Sequence, residues 1–93
     1  MTQIAFIGGG NMATSIIGGL IREGAVSPDL IHVSDPGAEQ RERLTQDFGI
    51  ATHESNLDAI ATATVVILAV KPQMMKAVLE PLQATLNARQ PLL

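Results

Sequence analysis

Between Gly8 and Ala13 the chain reads Gly-Gly-Gly-Asn-Met-Ala. Adjacent glycines are costly, because glycine loses more backbone freedom on folding than any other residue. The run fits G-x-G-x-x-A, the pattern in which a strand-to-helix turn cradles a dinucleotide pyrophosphate. In that reading Gly8 permits the tight turn, with Gly9 between it and the second key position. Gly10, lacking a side chain, lets a phosphate reach the backbone. Ala13 is small enough for the helix to lie close to the strand. Asn11 and Met12 begin the helix, whose unpaired N–H groups and positive dipole end attract phosphate. Glycine clusters also mark ordinary turns, so the context of the motif has to decide.

Asp35 stands about 25 residues beyond the glycines, where an acid can accept hydrogen bonds from adenosine ribose hydroxyls. It is equally suited to cap the helix that follows Pro36-Gly37. A ribose 2′-phosphate beside it would be repelled unless Arg41 or Arg43 compensates, or unless the carboxylate turns away. Ser34 can hydrogen-bond a ribose with or without that phosphate. Asn56 can reach the adenine–ribose side, or cap a helix starting at Leu57. A second constellation, Ala69-Val70-Lys71-Pro72-Gln73, closes an apolar run. Pro72 blocks further strand pairing, so the chain must turn over a bound cofactor there. Lys71 either reaches cofactor or substrate, or is a solvated surface lysine. His32 and His53 read as isolated, with no further ligand at metal spacing, and are expected to be structural or exposed. Met74 and Met75 are expected to pack in the core or against whatever follows.

These residues need elements to position them. Gln3–Ile7 reads as a buried strand, and Asn11 to about Glu23 has helical spacing through Met12, Ile16, Ile17, Leu20 and Ile21, with Gly24 as its stop. Gly18-Gly19 would let that helix approach the sheet. Ser27-Pro28-Asp29 is a turn, Leu30–Ser34 a second strand, and Ala38 to about Phe48 a charged helix stopped by Gly49. A short strand at 50–52 and a short helix at 57–61 follow. Thr64–Val70 is apolar without alternation, which assigns it to the middle of a parallel sheet covered on both faces. Met74 to about Leu86 is a helix with a kink or restart at Pro81, and Pro91-Leu92-Leu93 looks like the beginning of another strand. Strict β-α alternation predicts an α/β fold: a Rossmann-type doubly wound parallel sheet, truncated near the start of its fifth strand.

Bulk composition narrows the function classes. The 93 residues suit one domain with a modest core, and with only two aromatics that core must be aliphatic. Net charge is −3 with the basic residues scattered, so no stripe attracts nucleic acid. The absence of cysteine excludes disulfides and thiolate metal sites. No secretory signal is visible, and the longest apolar run, Val65–Val70, is too short to span a bilayer. A cytoplasmic protein with neither a membrane nor a nucleic-acid partner is the expectation.

"FIGGGNMATSIIGGL", then "SDP" after the second strand, then "AVKPQ" after the fourth, together resemble the N-terminal dinucleotide-binding domain of the pyrroline-5-carboxylate reductases, over essentially the whole chain. The resemblance implies reduction of 1-pyrroline-5-carboxylate to L-proline, the last step of proline biosynthesis, by hydride from NADP(H) or NAD(H). It implies that Gly8, Gly9, Gly10, Asn11 and Met12 hold the pyrophosphate. Asp35 and Ser34 would meet the adenosine ribose, Asn56 the adenosine side, and Ala69, Val70, Lys71 and Pro72 the nicotinamide side. Asp35 departs from residues that favour a 2′-phosphate and leaves cofactor preference open. The family's α-helical C-terminal domain, which builds the substrate site and a homo-oligomer, is not in these 93 residues, so no catalytic residue is expected here and the piece alone is expected to be inactive. Three other readings remain: a non-catalytic NAD(P)-binding sensor module; the first domain of another oxidoreductase acting on a 3-hydroxy acid or a deazaflavin, which AVKPQ argues against; and a doubly wound domain with no ligand, in which the glycines merely make a turn.

Overall fold

The computed structural model describes residues 2–89. Strand β1 (Ile4–Ile7) leads into α1 (Asn11–Arg22), β2 (Ile31–Ser34) into α2 (Ala38–Phe48), β3 (Ala51–His53) into α3 (Asn56–Ile60), and β4 (Val65–Leu68) into α4 (Met75–Arg89). All three strand pairs are parallel, in the order β3-β2-β1-β4. Ile4 faces Ile31 on one side and Val65 on the other. The predicted α/β doubly wound architecture is therefore present. The expected fifth strand at Pro91–Leu93 lies outside the described residues.

The period-2 alternation of parallel strands sorts side chains onto two faces. Ile4, Phe6, Ile31 and Val33 pack with Ala13 and Ile17 of α1 and Leu44 of α2. Ala5, Ile7 and Val66 pack with Ile60 of α3 and Leu82 of α4. Every residue of β1 is buried, which is why that strand reads as continuously apolar. Helix ends follow local chemistry. Gly49, at φ 70°, caps α2 by donating its N–H to Thr45, and Gly24, at φ 69°, donates to Ile21 just after α1.

Several expectations are corrected. Among the described residues β4 is an edge strand and β1, with β2, is central; only Val66 of β4 is buried. Helices do cover both faces of β4, as its uninterrupted apolar run predicts. Pro28–Leu30 forms a 3₁₀ turn and Pro72–Met74 another, so β2 begins after Leu30 and α4 after Met74. Helix α4 passes Pro81 without a restart. Gly18 faces the Phe48 ring of α2, at 3.6 Å from where a Cβ would sit, and nothing lies near Gly19, so this pair does not bring α1 to the sheet.

Candidate functional site

The glycine turn is built by the two strands flanking β1. Ala69 N–H donates to the Ile7 carbonyl and Gly8 N–H to the Ser34 carbonyl, at 2.9 Å each, so pairing continues to the last residue before the turn. Gly8 then adopts φ 102°, and a Cβ there would lie 2.6 Å from the Ala69 carbonyl oxygen. Both facts require glycine. Gly9 is buried, and a Cβ on it would meet Leu44 Cδ1 at 2.8 Å and Val33 Cγ1 at 3.1 Å. Gly10 differs: nothing lies within 4 Å of its Cβ direction. Protein packing does not demand a glycine there, but an approaching ligand would. Gly10 is also the N-cap of α1, and no side chain caps the helix. Its carbonyl accepts from both the N–H and the hydroxyl of Thr14. The first turn of α1, Asn11 and Met12 included, carries no acidic residue, so its N–H groups and dipole face the opening unopposed.

Asp35 lies at the end of β2, half-buried. One carboxylate oxygen accepts the Gly9 N–H at 3.0 Å and the other the Gly37 N–H at 2.8 Å. The N-cap of α2 is Gly37, without a side-chain bond, so the capping role considered for Asp35 is not taken. The carboxylate is turned inward, joining the β1–α1 and β2–α2 turns. Gln40 completes that junction by donating its side-chain N–H to the Gly9 carbonyl. Arg41 donates to the Asp35 carbonyl at 2.8 Å and lines a separate groove between α2 and β3, while Arg43 reaches Gln40 at 3.4 Å. Neither arginine lines the cleft in front of the glycines.

That cleft, about 570 Å³, brings together Gly8, Gly9, Gly10, Asn11, Met12 and Asp35 with Ala69, Val70, Lys71 and Pro72. It lies at the carboxyl ends of β1 and β4, where open α/β sheets take ligands. Lys71 is exposed, and with Asp35 it supplies the charge on the lining. Met12 and Met74 are half exposed at 54% and 50%, giving the cleft soft apolar surface. Met74 is thus not a core residue, because the 3₁₀ turn lifts it past the sheet edge; Met75 is only partly buried. Ser34 and Asn56 fall in an adjoining hollow of about 250 Å³, which shares Gly8, Pro36, Val70 and Met74 with the first. Ser34 is buried and its hydroxyl donates to Asn56 Oδ1 at 2.5 Å. Asn56 is the first residue of α3 rather than its cap.

Sequence reasoning missed Pro36, Met74 and Glu54 as lining residues. It also missed Gln40, whose place three residues after the N-cap is the one from which a side chain can reach back to backbone. The two histidines are not isolated: His32 Nδ1 lies 3.0 Å from His53 Nε2, with the rings stacked. His32 Nε2 is 3.1 Å from Gln3 Oε1, which also accepts from Thr62. Gln3 Oε1 can only accept, so His32 Nε2 carries the proton and neutral His32 accepts from His53 through Nδ1. Burial, and then the neighbouring His53, hold the His32 pKa below its ordinary 6.5. Among the described residues no cluster of metal-ligating side chains occurs, and no helix is long and apolar enough to cross a membrane.

A family model described as NADP oxidoreductase, coenzyme F420-dependent, matches residues 3–93. The chain is 52% identical over 88 residues to a pyrroline-5-carboxylate reductase of Pseudomonas aeruginosa, covering 95% of this chain and 32% of that protein. It is 40% identical over 85 residues to the Escherichia coli protein of the same name, covering 91% and 32%. The solved pyrroline-5-carboxylate reductase of Coxiella burnetii superposes with a TM-score of 0.89 at 34% identity, covering 99% of this chain and 36% of that one. The Plasmodium falciparum pyrroline carboxylate reductase, solved with NADP bound, shares the fold at a TM-score of 0.78 and 16% identity, covering 98% and 33%. The chain thus spans about a third of the length of the curated relatives it matches. With its turns, cleft and strand order as described, the chain belongs to the NADP oxidoreductase, coenzyme F420-dependent family, and within it bears out the resemblance to the pyrroline-5-carboxylate reductases.

Proposed function

We propose that this chain is the cofactor-binding part of an enzyme that reduces 1-pyrroline-5-carboxylate to L-proline with NADPH or NADH. The observation that carries the reading is the bare face of Gly10 at the uncapped end of α1. Glycine stands where the protein's own packing leaves open space, and a ligand entering there would meet N–H groups suited to phosphate. The family description names F420, a deazaflavin. The curated relatives quoted above are pyrroline-5-carboxylate reductases, which favours the imine substrate.

In this reading the N–H groups of Gly10, Asn11 and Met12 hold the pyrophosphate, with Gly8 and Gly9 shaping the turn beneath it. Ser34, Asp35 and Asn56 border the adenosine side. Ala69, Val70, Lys71 and Pro72 border the nicotinamide side, with Met12 and Met74 excluding water from it. When bound, the reduced nicotinamide supplies a hydride for the C=N carbon of the imine. The imine pocket and the contacts of a homo-oligomer belong to the remainder of the whole protein, a cytoplasmic enzyme without nucleic-acid or membrane partners. Calorimetric titration of the chain with NADH and NADPH tests the reading. Binding is expected, and no binding of either at about millimolar concentration, equivalent to roughly 4 kcal/mol, would overturn it.

A further inference from the structure

We propose that Asp35 and Gln40 form a clasp on the Gly9 peptide groups, so that both residues act on a dinucleotide by aiming the glycine turn rather than by touching the ribose. The proposal rests on the cofactor reading above and assigns its positioning residues. Gly9 is buried, and both of its backbone polar groups are met by side chains of the next βα unit. Its N–H goes to the Asp35 carboxylate and its carbonyl to the Gln40 amide. A buried peptide group without a partner is costly, so these two bonds determine how the turn lies. The Gly9 N–H is consumed inside the protein and is not offered to a phosphate. The Gly9 carbonyl and the Gly10 N–H belong to one planar trans peptide and point in opposite directions. Gln40, by holding the carbonyl on one side, aims the Gly10 N–H to the other. That donor belongs to the residue whose open face adjoins the cleft.

The second carboxylate oxygen of Asp35 is held by Gly37 N–H at 2.8 Å, which fixes the carboxylate in its inward orientation. Gly37 is the N-cap of α2 and Gln40 lies in the first turn of that helix, so the two arms of the clasp share one rigid base. Leu44 and Val33 close over Gly9 from the same side. An inward carboxylate is a poor discriminator of the ribose 2′ position. The clasp therefore accounts for an acid at this place without requiring it to contact the ribose.

The test uses the full chain with isotope-labelled backbone, comparing wild type with Asp35→Ala, Asp35→Asn and Gln40→Ala. Amide exchange of Gly9, Gly10 and Gly37 is followed without nucleotide, and NADH and NADPH affinities are measured by calorimetry. Asp35→Ala should speed Gly9 and Gly37 exchange about tenfold or more and weaken both nucleotides about tenfold, their ratio moving by less than about threefold. Gln40→Ala should also weaken both nucleotides together and alter the Gly10 amide signal. Asp35→Asn, which keeps one acceptor, should restore part of each effect. A change of about tenfold or more in the NADPH-to-NADH ratio with Gly9 exchange unaltered would make Asp35 a ribose reader and overturn the proposal. Faster exchange with unchanged affinities would overturn it too, leaving only a fold contact. If Asp35→Ala does not fold, the other two variants carry the same comparison. If wild type binds neither nucleotide, the cofactor reading fails, while Gly9 exchange in the variants still shows whether the clasp exists.

Discussion

The two turns that face each other across the cleft are held in different ways. The β1–α1 turn is fixed by its surroundings: Gly8 lies against the Ala69 carbonyl, Gly9 is enclosed by Leu44, Val33, Asp35 and Gln40, and pairing on both sides runs to its first residue. The β4–α4 turn is loosely tied. Lys71, Pro72, Gln73 and Met74 are all exposed, and the bonds that shape it are Ala69 N–H to Ile7 and Met74 N–H to Lys71. One wall of the cleft thus offers rigid backbone donors, while the other offers side chains able to adjust. Rigidity suits the part of a dinucleotide that is always the same, and adaptability suits the end that would take part in a reaction.

Substitutions can break or sharpen this contrast. The largest effect is expected from Gly8→Ala, which combines a positive φ with a Cβ 2.6 Å from a carbonyl oxygen. It should cost about 3 kcal/mol or more, read as a lowered denaturation midpoint. A Gly10→Ala chain should keep its stability within about 0.5 kcal/mol, since the new methyl meets nothing. Its dinucleotide affinity should nevertheless fall about tenfold or more, because the methyl stands where phosphate must approach. If Gly10→Ala lost stability and kept affinity, the fixed wall would be only a turn. On the other wall, Lys71→Ala should leave the melting temperature nearly unchanged and weaken nucleotide binding only a few-fold, because the amine is exposed to solvent.

The smallest expected effect is on pH. His32 has a lowered pKa in the folded chain, so the unfolded chain binds its proton more readily. Its contribution to stability is therefore present above the ordinary pKa of 6.5 and is lost as pH falls from there toward the lowered value. Thermal melts across that window should show a shallow decline, removed by His32→Asn. Nucleotide affinity should not follow it, since neither His32 nor His53 lines the cleft; a parallel loss would mean that the fixed wall is coupled to the sheet beneath it.

The element order and the cleft-lining backbone were legible because glycines, prolines and uninterrupted apolar runs act locally. Gly24 and Gly49 stop helices by their own conformation, and the G-x-G-x-x-A spacing is written in six consecutive residues. What was hidden depends on pairing across the sheet. The His32–His53 contact exists because Ser34 is opposite His53 and His32 opposite Ala51, a register that no local signal announces. The inward turn of the Asp35 carboxylate depends on where β1 delivers the Gly9 N–H. The core alternative for Met74 fails because an apolar residue at the mouth of a cleft looks, in sequence, like one in a core.

The position of β1 between β2 and β4 also has a consequence for how the molecule assembles. Gln3, just ahead of β1, bonds Thr64, just ahead of β4, across 61 residues of chain. During synthesis the first strand must wait, with one edge unsatisfied, until nearly the whole intervening sequence has emerged. Such distant closure slows folding and prolongs the time in which an apolar strand is open to wrong partners. The strand that carries the glycine turn is thus made before both of its neighbours and completed only by the second of them.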